Sequence, residues 1–276
     1  MPRILVLAHL TLHEALRRRV LLAALIGGGA FLILYGVGFH FIARDVGKHA
    51  TLLERRIALT AITLAGLYAV NLLSVMSAVL LPVDALSGEI GTGSIQTLAA
   101  KPVRRSEIVL GKWLAYVIVV LGYLTVMAGG VLTIAAVIGK FTPPNPTAAI
   151  PLMLVEMLLL VSVSIAGGTR LSTVTNGMAA FGLYGIAFIG NWVEQIGTFV
   201  DNVAARNVGT VASLIMPAES LWQRAAWLMQ PTIMRELQIT PFSPASVPSP
   251  AMVWWAAGYT VVLLVVAIRG FSKRGL

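Results

Sequence analysis

The sequence predicts an all-α membrane protein: six transmembrane helices, an N-terminal interfacial amphipathic helix and one further helix in a cytoplasmic loop. Composition is the first observation, because 58% of the 276 residues are hydrophobic and only 11% are charged, against about 25% charged in an average soluble domain. The mean hydropathy of +0.87 is the second. The third is a set of six apolar runs that can cross a bilayer. The absence of cysteine excludes disulfides and thiolate metal sites.

The six apolar runs fix the predicted domain organisation. Four of them contain no Asp, Glu, Lys or Arg and exceed the roughly 20 residues that a spanning helix needs: 20–42, 57–81, 113–139 and 171–193. Two more complete the set: 150–169, which contains Glu156, and 251–268. We treat 1–276 as a single transmembrane domain. Its parts outside the spans are the interfacial helix 1–19, the cytoplasmic loop 82–112 and the outer loop 194–250.

The distribution of Lys and Arg predicts the orientation. With both termini in the cytoplasm, the inner segments hold twelve of these residues and the outer segments hold eight. We therefore expect a multi-pass protein of the cell inner (plasma) membrane. The net charge of +9 then faces the anionic cytoplasmic leaflet to a large extent, and no nucleic-acid partner is needed to explain it. Residues 1–19, which we call the lead, are polar and amphipathic and precede the first apolar run. Their presence argues against a cleaved signal peptide.

The lead itself fits an interfacial amphipathic helix. One arc of its helical wheel is apolar: Ile4, Leu5, Ala8, Leu12, Ala15 and Leu16. Most of the charged residues take the opposite arc, although Val6, Leu7 and Leu10 interrupt it. His9 and His13 stand four residues apart, but no third ligand stands nearby, so this pair predicts a polar face and no metal site.

The loop after the second span contains SGEIGTGSIQTLAAKPVRRSEIVLGK, residues 87–112. A phosphate loop needs Gly-x-x-x-x-Gly-Lys followed by Ser or Thr. Here Trp113 follows Gly111-Lys112 and Ser106 stands five residues before Gly111, so the stretch does not bind a nucleotide in that way. The pattern favours a short surface helix that ends at Pro102. Ser106 then caps the third span and Lys112 reaches the headgroups. A solvated loop is the alternative.

The motifs of this stretch resemble the cytoplasmic signature of ABC-2 type permeases. They are Gly-Glu-Ile at 88–90, Gly-Ser at 93–94, Lys-Pro-Val-Arg-Arg at 101–105 and Leu-Gly-Lys at 110–112. The likeness extends over nearly the whole chain and is closest to the branch named for multicopper-enzyme maturation, which includes the nitrous-oxide reductase assembly permease. The family usually has Gly-Thr where this chain has Gly93-Ser94, a change that keeps the hydroxyl.

The resemblance implies a division of labour between chains. Two copies of the permease would pair with two cytoplasmic ABC ATPase subunits, and the loop 82–112 would act as a coupling helix seated in the ATPase. This chain would then be a non-catalytic subunit of an exporter, without a cofactor of its own, because ATP and magnesium belong to the ATPase. The resemblance implies a coupling role for Glu89, Gly93, Ser94, Pro102, Arg105, Gly111 and Lys112.

The outer loop and one acid within a span supply the remaining candidates. Pro217 and Pro231 bracket AESLWQRAAWLMQ, in which Trp222 lies on an apolar stripe and Glu219 lies off it, so we expect a helix at the outer interface. The resemblance implies an outer gate here and room for an accessory outer-side protein; a structural cap is the alternative. Glu156 is the one acid within a span. It could contact substrate or a proton, or it could be a neutral carboxyl bonded to a neighbouring helix.

The remaining polar residues predict no catalysis. Asn71, Asn176 and Asn191 lie in the spans, where such groups usually join helices. No Ser/His/Asp set or pair of carboxylates stands at span depth in the sequence. The rival function is an ATP-independent secondary transporter or a membrane scaffold. An ATPase gene beside this one would favour the ABC transporter.

Overall fold

The computed structural model describes residues 3–91, 104–237 and 246–273. These ranges form helices and contain no strand. The helices are α1 Arg3–Leu16, α2 Arg19–His49, α3 Leu52–Leu80, α4 Ser87–Gly91, α5 Arg105–Gly139, α6 Pro146–Gly168, α7 Thr173–Phe199, α8 Val203–Ile215, α9 Ala218–Leu228, α10 Thr232–Leu237 and α11 Pro250–Ser272. Six of them, α2, α3, α5, α6, α7 and α11, are long and apolar enough to span a membrane. The predicted all-helical fold with six spans is confirmed.

The spanning helices extend beyond their apolar runs. The helix α5 begins at Arg105, eight residues before the predicted start of the third span. Its first turn is closed by Glu107, whose carboxylate accepts the backbone N–H of Arg104 at 2.8 Å. The N-cap is therefore Arg104, and the prediction of Ser106 as N-cap is wrong, because Glu107 closes the turn from within the helix.

The bundle has two ends. At one end Arg18 pairs with Asp84, which follows α3, and Arg105 at the start of α5 contacts Ser272 at the end of α11. At the other end Arg55, in the first turns of α3, donates to the carbonyl of Gly139 at the end of α5. We call these ends the α1 face and the far face. The helix α1 and the end of α11 thus lie at the same face. This agrees with six spans, because an even number of crossings returns the chain to the side on which it started.

The core of the bundle is formed by α3, α5 and α6. In each spanning helix we compare an apolar stretch of 18 residues. In α3 and in α6, 61% of this stretch is buried, against 11% in α2 and 17% in α11. Large side chains fill the centre without exposure, among them Leu64, Leu124 and Met153. The peripheral helices α2 and α11 therefore present most of their apolar surface outward.

The segment after α7 folds back into the bundle as a hairpin of α8 and α9. The helix α8 runs antiparallel along α7, with Ala205 against Gly197 and Ala212 against Gly190, where a Cβ would find no room. Small residues at these positions let the two backbones approach closely. With 13 residues, α8 is about 20 Å long and too short to cross a bilayer.

The helix α9 then packs against α6 inside the bundle. Glu219 near its start contacts Tyr184, which lies 11 residues from the beginning of α7, or about 16 Å along the helix axis. Leu221, Trp222, Ala225 and Ala226 are all at most 3% exposed. The expected helix exists, but its predicted place at the outer interface is wrong: it is buried against the spans.

Candidate functional site

The ends of the loop between α3 and α5 are tied together at the α1 face. Glu89 on α4 forms an ion pair with Lys112 on α5, with 2.6 Å between Oε1 and Nζ. Lys112 is 5% exposed, so it does not reach the headgroups as its sequence position predicts. A buried amine needs a charged partner, and Glu89 supplies it across 23 residues of sequence.

Arg105 joins the same loop to the last span. Its guanidinium donates to the backbone carbonyls of Ser272 at 2.9 Å and of Phe271 at 3.3 Å. These carbonyls belong to the last turn of α11, where the regular hydrogen bond from four residues further along the helix is missing and a positive charge is favoured. Arg105 therefore connects the start of α5 with the C-terminal end of α11.

Gly111 is the point of closest approach between α1 and α5. A Cβ on this residue would lie 2.7 Å from Cβ of Leu7 and 3.2 Å from the carbonyl oxygen of Ile4. On the helical wheel Leu7 is an apolar residue within the polar arc of α1. The structure gives the reason, because Leu7 packs against Gly111 of α5. Leu5, Val6, Leu10 and Leu16 remain exposed on α1.

Four of the seven predicted coupling residues can thus be located. Glu89 and Lys112 contact each other, Gly111 adjoins them on α5, and Arg105 lies about two helical turns earlier. Gly93, Ser94 and Pro102 lie outside the described residues. The side chains of Glu89, Lys112 and Arg105 connect the ends of the loop to α5 and α11. Gly111 has no side chain and instead lets α1 approach α5 closely.

A second set of polar residues lies within the bundle. Glu156 is fully buried and accepts a hydrogen bond from the side-chain amide of Asn71 on α3, with 3.2 Å between Nδ2 and Oε1. It stands 10 residues from one end of α6 and 12 from the other, which places it about 15 Å and 18 Å along the axis. Within the described chain, Oε2 of Glu156, Oδ1 of Asn71 and Oγ of Ser74 find no hydrogen-bonding partner.

The hairpin contributes a second buried acid to this set. Glu219 accepts hydrogen bonds from the hydroxyl of Tyr184 at 3.3 Å and from the side-chain amide of Asn191 at 3.2 Å. Burial raises the pKa of Glu219 to about 7, although the two hydrogen bonds lower it. Tyr68 on α3 interacts electrostatically with both Glu219 and Glu156, and its ring lies 5.4 Å from that of Trp222. The two predicted contact residues, Glu156 and Trp222, therefore border one polar cluster.

Sequence reasoning missed Glu219 and Tyr184 as members of this cluster. The helical wheel places Glu219 off the stripe of Trp222. The two residues are nevertheless three apart, and so are neighbours on the surface of α9, which is the signal that could have found Glu219. Asn191 and Asn71 do join helices, as their residue type predicts, through Glu219 and Glu156. Asn176 joins α7 to the backbone of Ser164 and Val83.

The part of the chain that the structure describes holds no group of three or more His, Cys, Asp or Glu that could bind a metal. The rings of His9 and His13 lie 4.4 Å apart between centroids. Nδ1 of His13 is 3.1 Å from the carbonyl oxygen of His9.

The fold and these contacts define a multi-pass α-helical membrane protein with an anchored loop at one end and a re-entrant hairpin at the other. A family model described as ABC-2 family transporter protein matches residues 11–276. The chain belongs to this family, and the family assigns it as the membrane-embedded permease subunit of an ABC transporter. A comparison with curated proteins found no match. The nitrous-oxide reductase branch stays a prediction.

Proposed function

We propose that this chain is the permease subunit of an ATP-driven exporter and works as a homodimer with two copies of a separate cytoplasmic ATPase. The observation that carries the proposal is the anchoring of the α3–α5 loop. Its two ends are tied to each other by Glu89 and Lys112, and to the last span by Arg105. A displacement of this loop by a partner would therefore move α5 and α11 together.

The α1 face is the cytoplasmic side in this proposal, and both termini lie there. The ATPase docks on the loop 82–112, with Glu89, Gly93, Ser94, Pro102, Arg105, Gly111 and Lys112 as the coupling set. Small residues permit close backbone approach and a few charges set the register of such a contact. ATP and magnesium are bound by the ATPase, and this chain acts without a cofactor of its own. A role in copper-enzyme maturation rests on the motif resemblance of residues 88–112 alone.

The hairpin of α8 and α9 is the gate on the far side in this proposal. Trp222 packs on Tyr68 and Glu219 bonds to Tyr184, so the hairpin is held to α3 and α7 by contacts that can separate. Trp222→Ala should lower transport, because it removes the contact with α3. Trp254→Ala is the matched control, since Trp254 is 79% exposed on α11. Equal transport by the two variants would remove Trp222 from the gate.

The main experiment measures subunit mass and ATP hydrolysis. Purified alone, the chain should neither bind nor hydrolyse ATP, because it lacks a phosphate loop and its longest segment between spans is too short for a nucleotide-binding domain of about 100 residues or more. Co-expressed with its cognate ATPase, it should form a complex with two copies of each chain. A transport-competent assembly without an ATPase would instead support a secondary transporter.

A further inference from the structure

The far face contains an open cavity whose walls are rich in positive charge. Its volume is about 500 Å³, and it lies between the first turns of α3 and the turn from α5 to α6. Arg55, Arg56 and Lys140 contribute to its lining, together with the apolar Leu52, Phe141 and Pro231. Among the described residues that line it there is no acid.

Local structure brings the three cations together. The helix α3 begins after Thr51, whose hydroxyl caps the first turn, so Arg55 and Arg56 follow within the next turn. Arg55 donates to the carbonyl of Gly139 and thereby holds the end of α5 against the start of α3. Lys140 ends α5 in the left-handed conformation, with φ of 49°. This conformation turns the chain away from the helix axis at the cavity.

The positive charge of the cavity is not balanced within the described chain. Arg56 and Lys140 are exposed and form no ion pair with a described residue. Glu54 is the acid nearest in sequence, but its carboxylate accepts the backbone N–H of Thr51 at 2.7 Å and the hydroxyl of Thr51 at 2.9 Å. Arg55 is half-buried and already donates a hydrogen bond to the carbonyl oxygen of Gly139 at the end of α5. The two outer cations are therefore available to an anion.

The position and rim of the cavity indicate the chemistry of that anion. The apolar run of α3 begins at Ile57, directly after Arg56, so the cations lie at the depth of lipid headgroups. Leu52 is 82% exposed beside them and offers apolar surface to an acyl chain. Guanidinium and ammonium groups bind phosphate through charge-assisted hydrogen bonds.

We propose that this cavity binds the phosphate group of an anionic lipid on the far side of the membrane, with Arg56 and Lys140 as the contacts and Arg55 as the residue that shapes the site. The site is independent of the α1 face and of ATP coupling. A free phosphate ion has the same chemistry as the lipid headgroup, and the experiment distinguishes the two sources.

The test compares lipid binding by two double variants in nanodiscs and by native mass spectrometry. The site variant is Arg56→Gln with Lys140→Gln. The matched control is Arg44→Gln with Lys48→Gln, which removes the same two charges from exposed positions of α2 that do not line the cavity. Wild type should retain phosphatidylglycerol in preference to phosphatidylcholine. The site variant should lose roughly tenfold in phosphatidylglycerol affinity, and the control should lose much less.

One further outcome distinguishes a lipid headgroup from a free phosphate ion, and another would reject the site. If millimolar inorganic phosphate displaces phosphatidylglycerol from wild type and has no effect on the site variant, the cavity also takes the free ion. The absence of any preference for phosphatidylglycerol, or an equal loss in the site and control variants, overturns the proposal and leaves general surface charge as the explanation.

Discussion

Gly111 is the residue on which the position of α1 depends. Its backbone approaches Leu7, Ile4 and Ala8 so closely that a methyl group would contact side chain and backbone alike. Gly111→Ala should therefore displace α1 from α5, although alanine favours a helix more than glycine does by about 1 kcal/mol. Hydrogen exchange of the α1 amides should rise at least tenfold.

The control for this prediction lies on the same helix. Gly122 is exposed, and a methyl group added to it would have no neighbouring atom within 4 Å. Gly122→Ala should leave the exchange of α1 unchanged and raise stability slightly. Equal exchange in the two variants would show that α1 does not depend on the contact at Gly111.

Glu219 should make the stability of the protein depend on pH. Its pKa is about 7 in the fold and near 4.3 in an unfolded chain, so the native state binds more protons between these values. Stability contributed by this group is then highest at low pH and falls as pH rises through 7, by about 2 kcal/mol between pH 5.5 and 8. The ionisable groups facing it are Tyr184, Tyr68 and Glu156.

The measurement is the free energy of unfolding at pH 5.5 and pH 8 for wild type and Glu219→Gln. Other groups titrate in this range, so the difference between the two proteins is the informative quantity. Glutamine keeps an acceptor for Tyr184 and carries no charge at either pH. A wild type and variant with the same pH dependence would contradict the raised pKa of Glu219.

Individual side chains show where local patterns stop being informative. A lysine at the start of an apolar run usually extends to the headgroups, and the sequence predicts this for Lys112. The structure pairs it with Glu89, a contact that depends on how α4 returns to α5 and that no local pattern contains. Glu219 shows the same limit: its place off the stripe of Trp222 predicts a polar face, and its contacts with Tyr184 and Asn191 depend on how α9 packs against α7.

At the scale of elements, α4 is tied to α5 by the ion pair of Glu89 and Lys112. We expect Glu89→Lys to lower ATP-driven transport at least tenfold, because a buried pair that loses one partner leaves an uncompensated charge at a cost of about 3 kcal/mol or more. Lys112→Glu should have the same effect. Transport and ATPase stimulation in reconstituted vesicles measure both.

The exchanged double variant, Glu89→Lys with Lys112→Glu, separates anchoring from docking. It restores an ion pair between α4 and α5 while it reverses the charge at position 89. Recovery of transport is the expected result and assigns the pair to anchoring. A folded but inactive double variant would assign Glu89 to direct contact with the ATPase.

The hairpin of α8 and α9 shows why the outer loop is the least predictable element. The amphipathic pattern of AESLWQRAAWLMQ correctly indicates a helix, and α9 covers Ala218–Leu228. An apolar stripe, however, packs equally well against lipid headgroups or against other helices, so the pattern cannot determine which surface covers it. The small residues along α7 and α8, such as Gly190 and Ala212, decide the outcome through close packing.

At the scale of the whole molecule, the number of spans is predictable and their arrangement is not. Span number depends on the length and polarity of each run, which the bilayer thickness sets. Hydropathy does not separate central from peripheral helices. The mean hydropathy of the apolar stretch is 2.3 in both α2 and α6, yet 11% of that stretch is buried in α2 and 61% in α6. Lipid tails and a protein core are similarly apolar, so composition alone cannot distinguish them. The exposed faces of α2 and α11 are thus available to lipid or to a second copy.

The orientation in the membrane is the last prediction, and it follows from the excess of Lys and Arg on the predicted inner side. The chain has no cysteine, so single cysteines can be introduced and labelled with a membrane-impermeant maleimide. Cysteines at Ser94, Arg170 and Lys273 should react only from the cytoplasmic side, and those at Lys48 and Ser246 only from outside. Labelling of Ser94 from outside would reverse the orientation and would separate the loop from a cytoplasmic ATPase. Labelling of Ser94 and Lys48 from the same side would contradict the path of α3 across the membrane.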